Sequence, residues 1–74
     1  MEEIIIENKE EYLIQNYPFL DPPELTDMKL CIHCDKLIIV GKYKVFRDKK
    51  KEEYICCPNA PQCNGTVIDW VDFE

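Results

Sequence analysis

The spacing of five cysteines constrains this chain more than any other feature of its sequence. Cys31 and Cys34 form a C-x2-C turn, and Cys57 and Cys63 form a C-x5-C turn followed closely by Gly65. Twenty-two residues separate the two pairs, enough for a hairpin. A chain of 74 residues gains little net stability from an apolar core alone, so a disulfide, a metal or a second subunit usually makes up the difference. The cysteine count is odd, and Met1-Glu2-Glu3 is acidic where a secretory signal is basic. No stretch approaches the ~18 apolar residues of a membrane span. The expected location is therefore cytoplasmic, where thiols stay reduced and paired cysteines are metal ligands more often than disulfides. A disulfide framework is the competing reading.

The chemistry of the pattern favours a metal. Zinc takes tetrahedral thiolate sulfur at ~2.3 Å, and two cysteines on one tight turn converge on it without long side-chain reach. Gly65, just past the second pair, is expected to adopt a backbone conformation that other residues resist, leaving amides free to approach the sulfurs. From Cys31 to about Val71 the sequence resembles a zinc ribbon (zinc β-ribbon) of the four-cysteine type. Its first knuckle matches well; its second is wider than the short C-P-x-C-G form and is similar to the C-x4-C or C-x5-C knuckles of topoisomerase-type ribbons. The resemblance implies one structural zinc on Cys31, Cys34, Cys57 and Cys63, with Cys57 preferred because Pro58 follows it, as in the Cys-Pro that opens many ribbon knuckles. Cys56 is then a small buried residue on the other face of its strand, and the reverse assignment stays open. His33 is the alternative fourth donor, with an exposed, uncoordinated ring as the expectation. Iron is disfavoured against zinc, because rubredoxin knuckles are both C-x2-C with the Cys-Pro-x-Cys-Gly form.

The expected fold is a small metal-stabilised α+β domain: an antiparallel ribbon of three to four short strands with an N-terminal helical extension. Residues 1–26 form the extension, with a strand at Ile4–Ile6, a helix capped by Asn8 and Glu11 and ended before Pro18, and a proline-rich connector. Residues 27–74 form the four-cysteine zinc-ribbon domain. Its expected strands are Met28–Leu30, a β-rich stretch from Leu37 to Phe46, Glu52–Cys56 and Thr66–Phe73, with a charged turn at Arg47–Lys51.

Catalysis is not expected. A catalytic zinc keeps a coordination position open, whereas four cysteines close it. The chain has a single histidine, no serine and only two glycines, which excludes a Ser-His-Asp arrangement and a glycine-rich phosphate loop. A small-molecule substrate and a membrane partner are likewise not expected. Two binding roles compete. Residues 1–27 carry a net charge of −7 and the remainder +1, which together with apolar residues outside the ribbon points to a protein partner. Against this, Lys42, Lys44, Arg47, Lys49, Lys50 and Lys51 gather six positive charges in ten residues. With Tyr43, Phe46 and Tyr54 nearby they suit an unpaired nucleic-acid strand. Glu52 and Glu53 follow at once, and a solubilised, guarded hairpin is the plainer reading of the lysines.

Overall fold

A computed structural model describes residues 1–72. The chain builds β1 (Glu2–Ile4), α1 (Lys9–Asn16), β2 (Met28–Cys31), β3 (Lys36–Ile39), β4 (Lys44–Arg47), β5 (Glu53–Cys56) and β6 (Trp70–Val71), with 3-10 turns at Val40–Lys42 and Val67–Asp69. The strands form two three-stranded antiparallel sheets, in the orders β1-β4-β5 and β3-β2-β6. This differs from the single sheet of three to four strands read from the sequence.

The division lies inside the stretch expected to run unbroken from Leu37 to Phe46. Val40 and Tyr43 are both fully buried and three residues apart, the repeat of a 3-10 turn and not of a strand. That turn carries the chain from β3 in one sheet to β4 in the other. The connector fixes it from outside: Val40 N donates to Asp27 O at 2.9 Å and Gly41 N to Leu25 O at 2.7 Å. A Cβ at Gly41 would lie 2.7 Å from that same oxygen, so close approach requires glycine there. The last expected strand is also interrupted. Thr66 and Asp69 form a capping box around the Val67–Asp69 turn, which leaves Thr66 in an isolated antiparallel bridge to Cys56 and Trp70–Val71 as a separate short strand; Phe73 lies outside the described residues.

The first strand sits two residues earlier than the isoleucine run suggested. Its register pairs Glu2 with Arg47 and Ile4 with Val45. Ile4 thereby joins the half-buried residues on the core, Ile5 stays 84% exposed, and the Glu2 carboxylate meets Arg47 at 3.6 Å. Helix α1 forms as its cap predicts, with the Asn8 side chain accepting from Glu11 N at 3.1 Å and Tyr17 N closing the last turn on Leu13 O. Leu13 enters the core at 1% exposure, while Ile14 faces solvent.

Polar locks hold the helix to the first sheet. The Lys9 ammonium donates to Gly41 O and Tyr43 O at 2.9 and 2.7 Å and lies 4.6 Å from the centroid of the Tyr43 ring. The Tyr43 hydroxyl donates back to Lys9 O at 2.7 Å, and Tyr12 donates to the Glu53 carboxylate at 2.6 Å. Burial pushes the Lys9 pKa down, against the pull of Glu3. It pushes Tyr43 up to about 12, and burial with the Glu53 bond raises Tyr12 as well. Leu13, Ile38, Val40, Tyr43, Val45, Ile55, Val67 and Trp70 form one cluster with Cys31, Cys57 and Cys63. No described helix is long and apolar enough to cross a membrane.

Candidate metal centre

Each cysteine pair is delivered by a different sheet. Cys31 ends β2, and its backbone is fixed on both sides by pairing with Lys36 and Trp70. The chain then turns so that Asp35 N donates to Cys31 O at 2.7 Å, which places Asp35 at φ 60°. Aspartate tolerates this left-handed conformation better than most residues, so it fills the position where short knuckles carry glycine. Cys57 follows β5. Its N–H donates to Gly65 O at 3.1 Å, and the wide loop folds back through Ala60 N to Cys57 O and Cys63 N to Asn59 O. The three extra residues of the second knuckle are thus taken up in successive turns that return Cys63 to the first pair.

The sulfurs of Cys31, Cys34, Cys57 and Cys63 all lie within 4.8 Å of one another. Two edges are direct: Cys31 Sγ to Cys63 Sγ is 3.7 Å and Cys34 Sγ to Cys57 Sγ is 3.9 Å. A tetrahedron with zinc–sulfur bonds of ~2.3 Å has edges of ~3.8 Å, whereas a disulfide needs ~2.05 Å. No disulfide joins the five cysteines; the two direct sulfur–sulfur distances match such a tetrahedral edge and the other four are at most 4.8 Å, a grouping able to hold a metal ion. Cys31, Cys57 and Cys63 are buried, and Cys34 is half-buried.

Amide donors surround the sulfurs. Gly65 N donates to Cys63 Sγ at 3.3 Å, Asn59 N to Cys57 Sγ at 3.4 Å, and Asn59 Nδ2 to Cys34 Sγ at 3.7 Å. Such bonds favour thiolate over thiol. At Cys34, burial raises the pKa, but the bonds from Asn59 and the neighbouring cysteines outweigh it and bring the thiol down to about 7. Burial pushes Cys57 up, and it raises Cys63 against the opposing bond from Gly65. Ion binding at the buried pair therefore has to displace protons.

Gly65 has its place for a different reason from the one expected. No glycine in the described residues takes a positive φ; the constraint is space. A Cβ at Gly65 would stand 2.9 Å from Cys31 Sγ, 3.0 Å from His33 Cβ and 3.2 Å from Cys63 Sγ. His33 is exposed, with Nδ1 3.8 Å from Cys63 Sγ, beside the four-sulfur group and not a member of it. Cys56 is buried outside that group, its Sγ 3.5 Å from Tyr54 O, and burial raises its pKa. Sequence reasoning missed Asn59. Its only signal was an amide side chain inside an unusually wide knuckle, two residues after a cysteine.

The basic hairpin is more committed to the fold than its composition suggests. Lys44 Nζ donates to Ala60 O at 2.8 Å, and Arg47 faces Glu2. Lys42, Lys49, Lys50 and Lys51 are exposed. Tyr43 has no exposed surface and offers no ring face to a base. The Tyr54 hydroxyl is held by Asp48 and Glu52, and these bonds, with burial, raise its pKa to about 12. Asp48 also accepts from Lys50 N and Glu52 N, which organises the turn itself.

Comparison with known proteins gives no family. No family model matches the chain, and neither does any curated protein or solved structure.

Proposed function

We propose that this chain is a non-catalytic module of the zinc-ribbon kind, in which Cys31, Cys34, Cys57 and Cys63 hold one structural zinc and the folded surface binds a partner protein. The sulfur geometry carries the reading: two edges of 3.7 and 3.9 Å match a tetrahedron of four sulfurs around zinc, and four thiolates fill all four positions. Zinc bound in this way supplies a cross-link and no reactive position. Cys57 is the ligand and Cys56 a packing residue. The amides of Asn59 and Gly65 orient the sulfurs and offset their charge, the role that outer donors take around metal sites. A cytoplasmic, reducing setting suits five free thiols.

A protein partner is favoured over nucleic acid because the net charge is −6, because Lys44 and Tyr43 are engaged by the fold, and because Arg47 is taken up in a surface pair with Glu2. The second reading rests on the exposed Lys42, Lys49, Lys50 and Lys51, which would give salt-dependent binding to single-stranded RNA or DNA.

The test is elemental mass spectrometry of the purified protein beside a thiol count on denatured protein with chelator present. One zinc per chain and five titratable thiols is the expected result. No metal and a single free thiol would mean two disulfides and end the zinc reading.

A further inference from the structure

The sheet β3-β2-β6 has two unlike faces. Opposed residues in antiparallel strands share a face, so the register sorts them directly. Cys31, Ile38 and Trp70 lie on the inner face and are at most 6% exposed. The outer face carries Met28, Leu30, Leu37, Ile39 and Val71, through the pairs Met28–Ile39, Leu30–Leu37 and Leu30–Val71. All five are apolar. Leu30 is half-buried, while Met28, Leu37, Ile39 and Val71 remain 46, 50, 41 and 37% exposed. A sheet with one face in the core ordinarily alternates apolar with polar. Here the alternation fails on the solvent side, and the lysines of these strands, Lys29 and Lys36, fall in register with the inner set.

The exposed fractions amount to roughly 350 Å² of contiguous apolar surface, the size of the largest patch on a typical monomer, which is often functional. Its dimensions, ~10 Å across three strands and ~7 Å along each, match the width of one helix. Two considerations choose the occupant. A second copy stacked face to face would bury less than half of the ~800 Å² per partner usual in a stable complex, and it would bring together two chains of charge −6. The rim is acidic on balance: Asp27 precedes β2, Asp35 lies in the turn between β2 and β3, and Asp72 follows β6, all exposed, with Asp72 ion-paired to Lys29 and exposed Lys36 in register with the opposite face. An apolar centre within an acidic rim complements an apolar stripe flanked by cations.

We infer that the outer face of β3-β2-β6 docks an amphipathic helical segment of a partner protein, apolar along one side and rich in lysine or arginine around it. This rests on the protein-binding role proposed above and assigns it a surface. Leu37 and Leu30 sit at the centre of the contact, and the aspartates set orientation and salt dependence.

The test uses the zinc-loaded full chain, isotopically labelled, followed by amide NMR. Two synthetic 14-residue helical peptides serve as probes, both with leucine at i, i+3, i+4 and i+7, one with lysine and one with glutamate at the other positions. The lysine peptide is expected to shift amides of residues 28–30, 37–39 and 71 and to bind at least tenfold more tightly than the glutamate peptide. Raising salt should weaken it severalfold. The double variant L37S/I39S should bind at least tenfold more weakly at unchanged zinc content and thermal midpoint; Val71→Ser, at an edge strand, repeats the test if the double variant folds poorly. Shifts confined to residues 1–27 would overturn this surface and leave a protein-binding role intact. So would a dimer of the free chain, seen by sedimentation, that buries this face. No shift with either peptide would also overturn the surface; if a single-stranded RNA then shifts residues 49–51, the protein-binding role falls with it.

Discussion

Replacing Gly65 with alanine tests whether the second knuckle is shaped by space around the sulfurs. The new Cβ would stand 2.9 Å from Cys31 Sγ and 3.2 Å from Cys63 Sγ, whereas heavy-atom contacts settle near ~3.5–4.0 Å. Relief requires a movement of about 0.5 Å, but metal-bound sulfurs tolerate only about 0.2 Å. The backbone around residue 65 must therefore move, straining the Gly65 N to Cys63 Sγ bond and the Cys57 N to Gly65 O bond. Overpacking of this kind costs ~1–3 kcal/mol. Because the ion is coupled to folding, that cost emerges as zinc binding weaker by roughly 5- to 150-fold. Competition with a chromophoric chelator at pH 7 measures it, and the visible bands of the cobalt-substituted protein report the tetrahedral thiolate field directly. Gly41→Ala is the control: its Cβ would clash with Leu25 instead of a sulfur, so it should lower the thermal midpoint and leave the cobalt bands unchanged. Zinc binding by Gly65→Ala within twofold of the parent, with unaltered cobalt bands, would refute the argument.

Other sites in the structure give outcomes as specific. Cys57→Ser should abolish stoichiometric zinc retention under chelator challenge, while Cys56→Ser keeps the ion and loses ~1–3 kcal/mol by burying a hydroxyl; equal losses in metal analysis would sink the ligand assignment. Leu13→Ala should destabilise the zinc-loaded fold by ~2–5 kcal/mol in urea, since Leu13 is 1% exposed in the common core; an unchanged midpoint would mean that α1 adds nothing to it. Tyr12, Tyr43 and Tyr54 all have raised pKa values, the last two to about 12. A raised folded pKa gives stability fully present below the unfolded value of ~10 and lost as pH climbs through the folded one. Tyrosinate absorbance should accordingly rise together with loss of structure between about pH 10 and 12, and full ionisation near the unfolded value in a still-folded protein would contradict these contacts.

The parts of the fold that were legible were those set by local chemistry. Asn8 and Glu11 announced a helix start, Pro18 its end, and the isolated charged run at Arg47–Lys51 a hairpin turn. Cysteine spacing singled out four residues whose sulfurs the structure places within 4.8 Å of one another, because two tight turns leave few ways to place them. Features decided by distant partners were not legible. Nothing local marks β1 as Glu2–Ile4 instead of Ile4–Ile6; the choice is made by Val45 and Arg47, more than forty residues away. The break between β3 and β4 is hidden because Val40 and Tyr43 also suit a strand, and only their joint burial shows the turn. The Thr66–Asp69 capping box was readable as T-x-x-D but was masked by the β-rich residues around it.

The delivery of the two cysteine pairs by two different sheets has a consequence for cooperativity. A three-stranded sheet with strands of two to four residues is marginal by itself, and here there are two. An ion bonded to Cys31 and Cys34 on one side and to Cys57 and Cys63 on the other makes each sheet's survival a condition of the other's. A loaded chain would then open as one unit at its centre, because β2 and β5 could not part without breaking metal–sulfur bonds, while the edge strand β1, which carries no cysteine, could still fray. Without the ion, the halves are joined by a side-chain core, short connections and the single Cys56–Thr66 backbone bridge, and each becomes freer to fray on its own timescale.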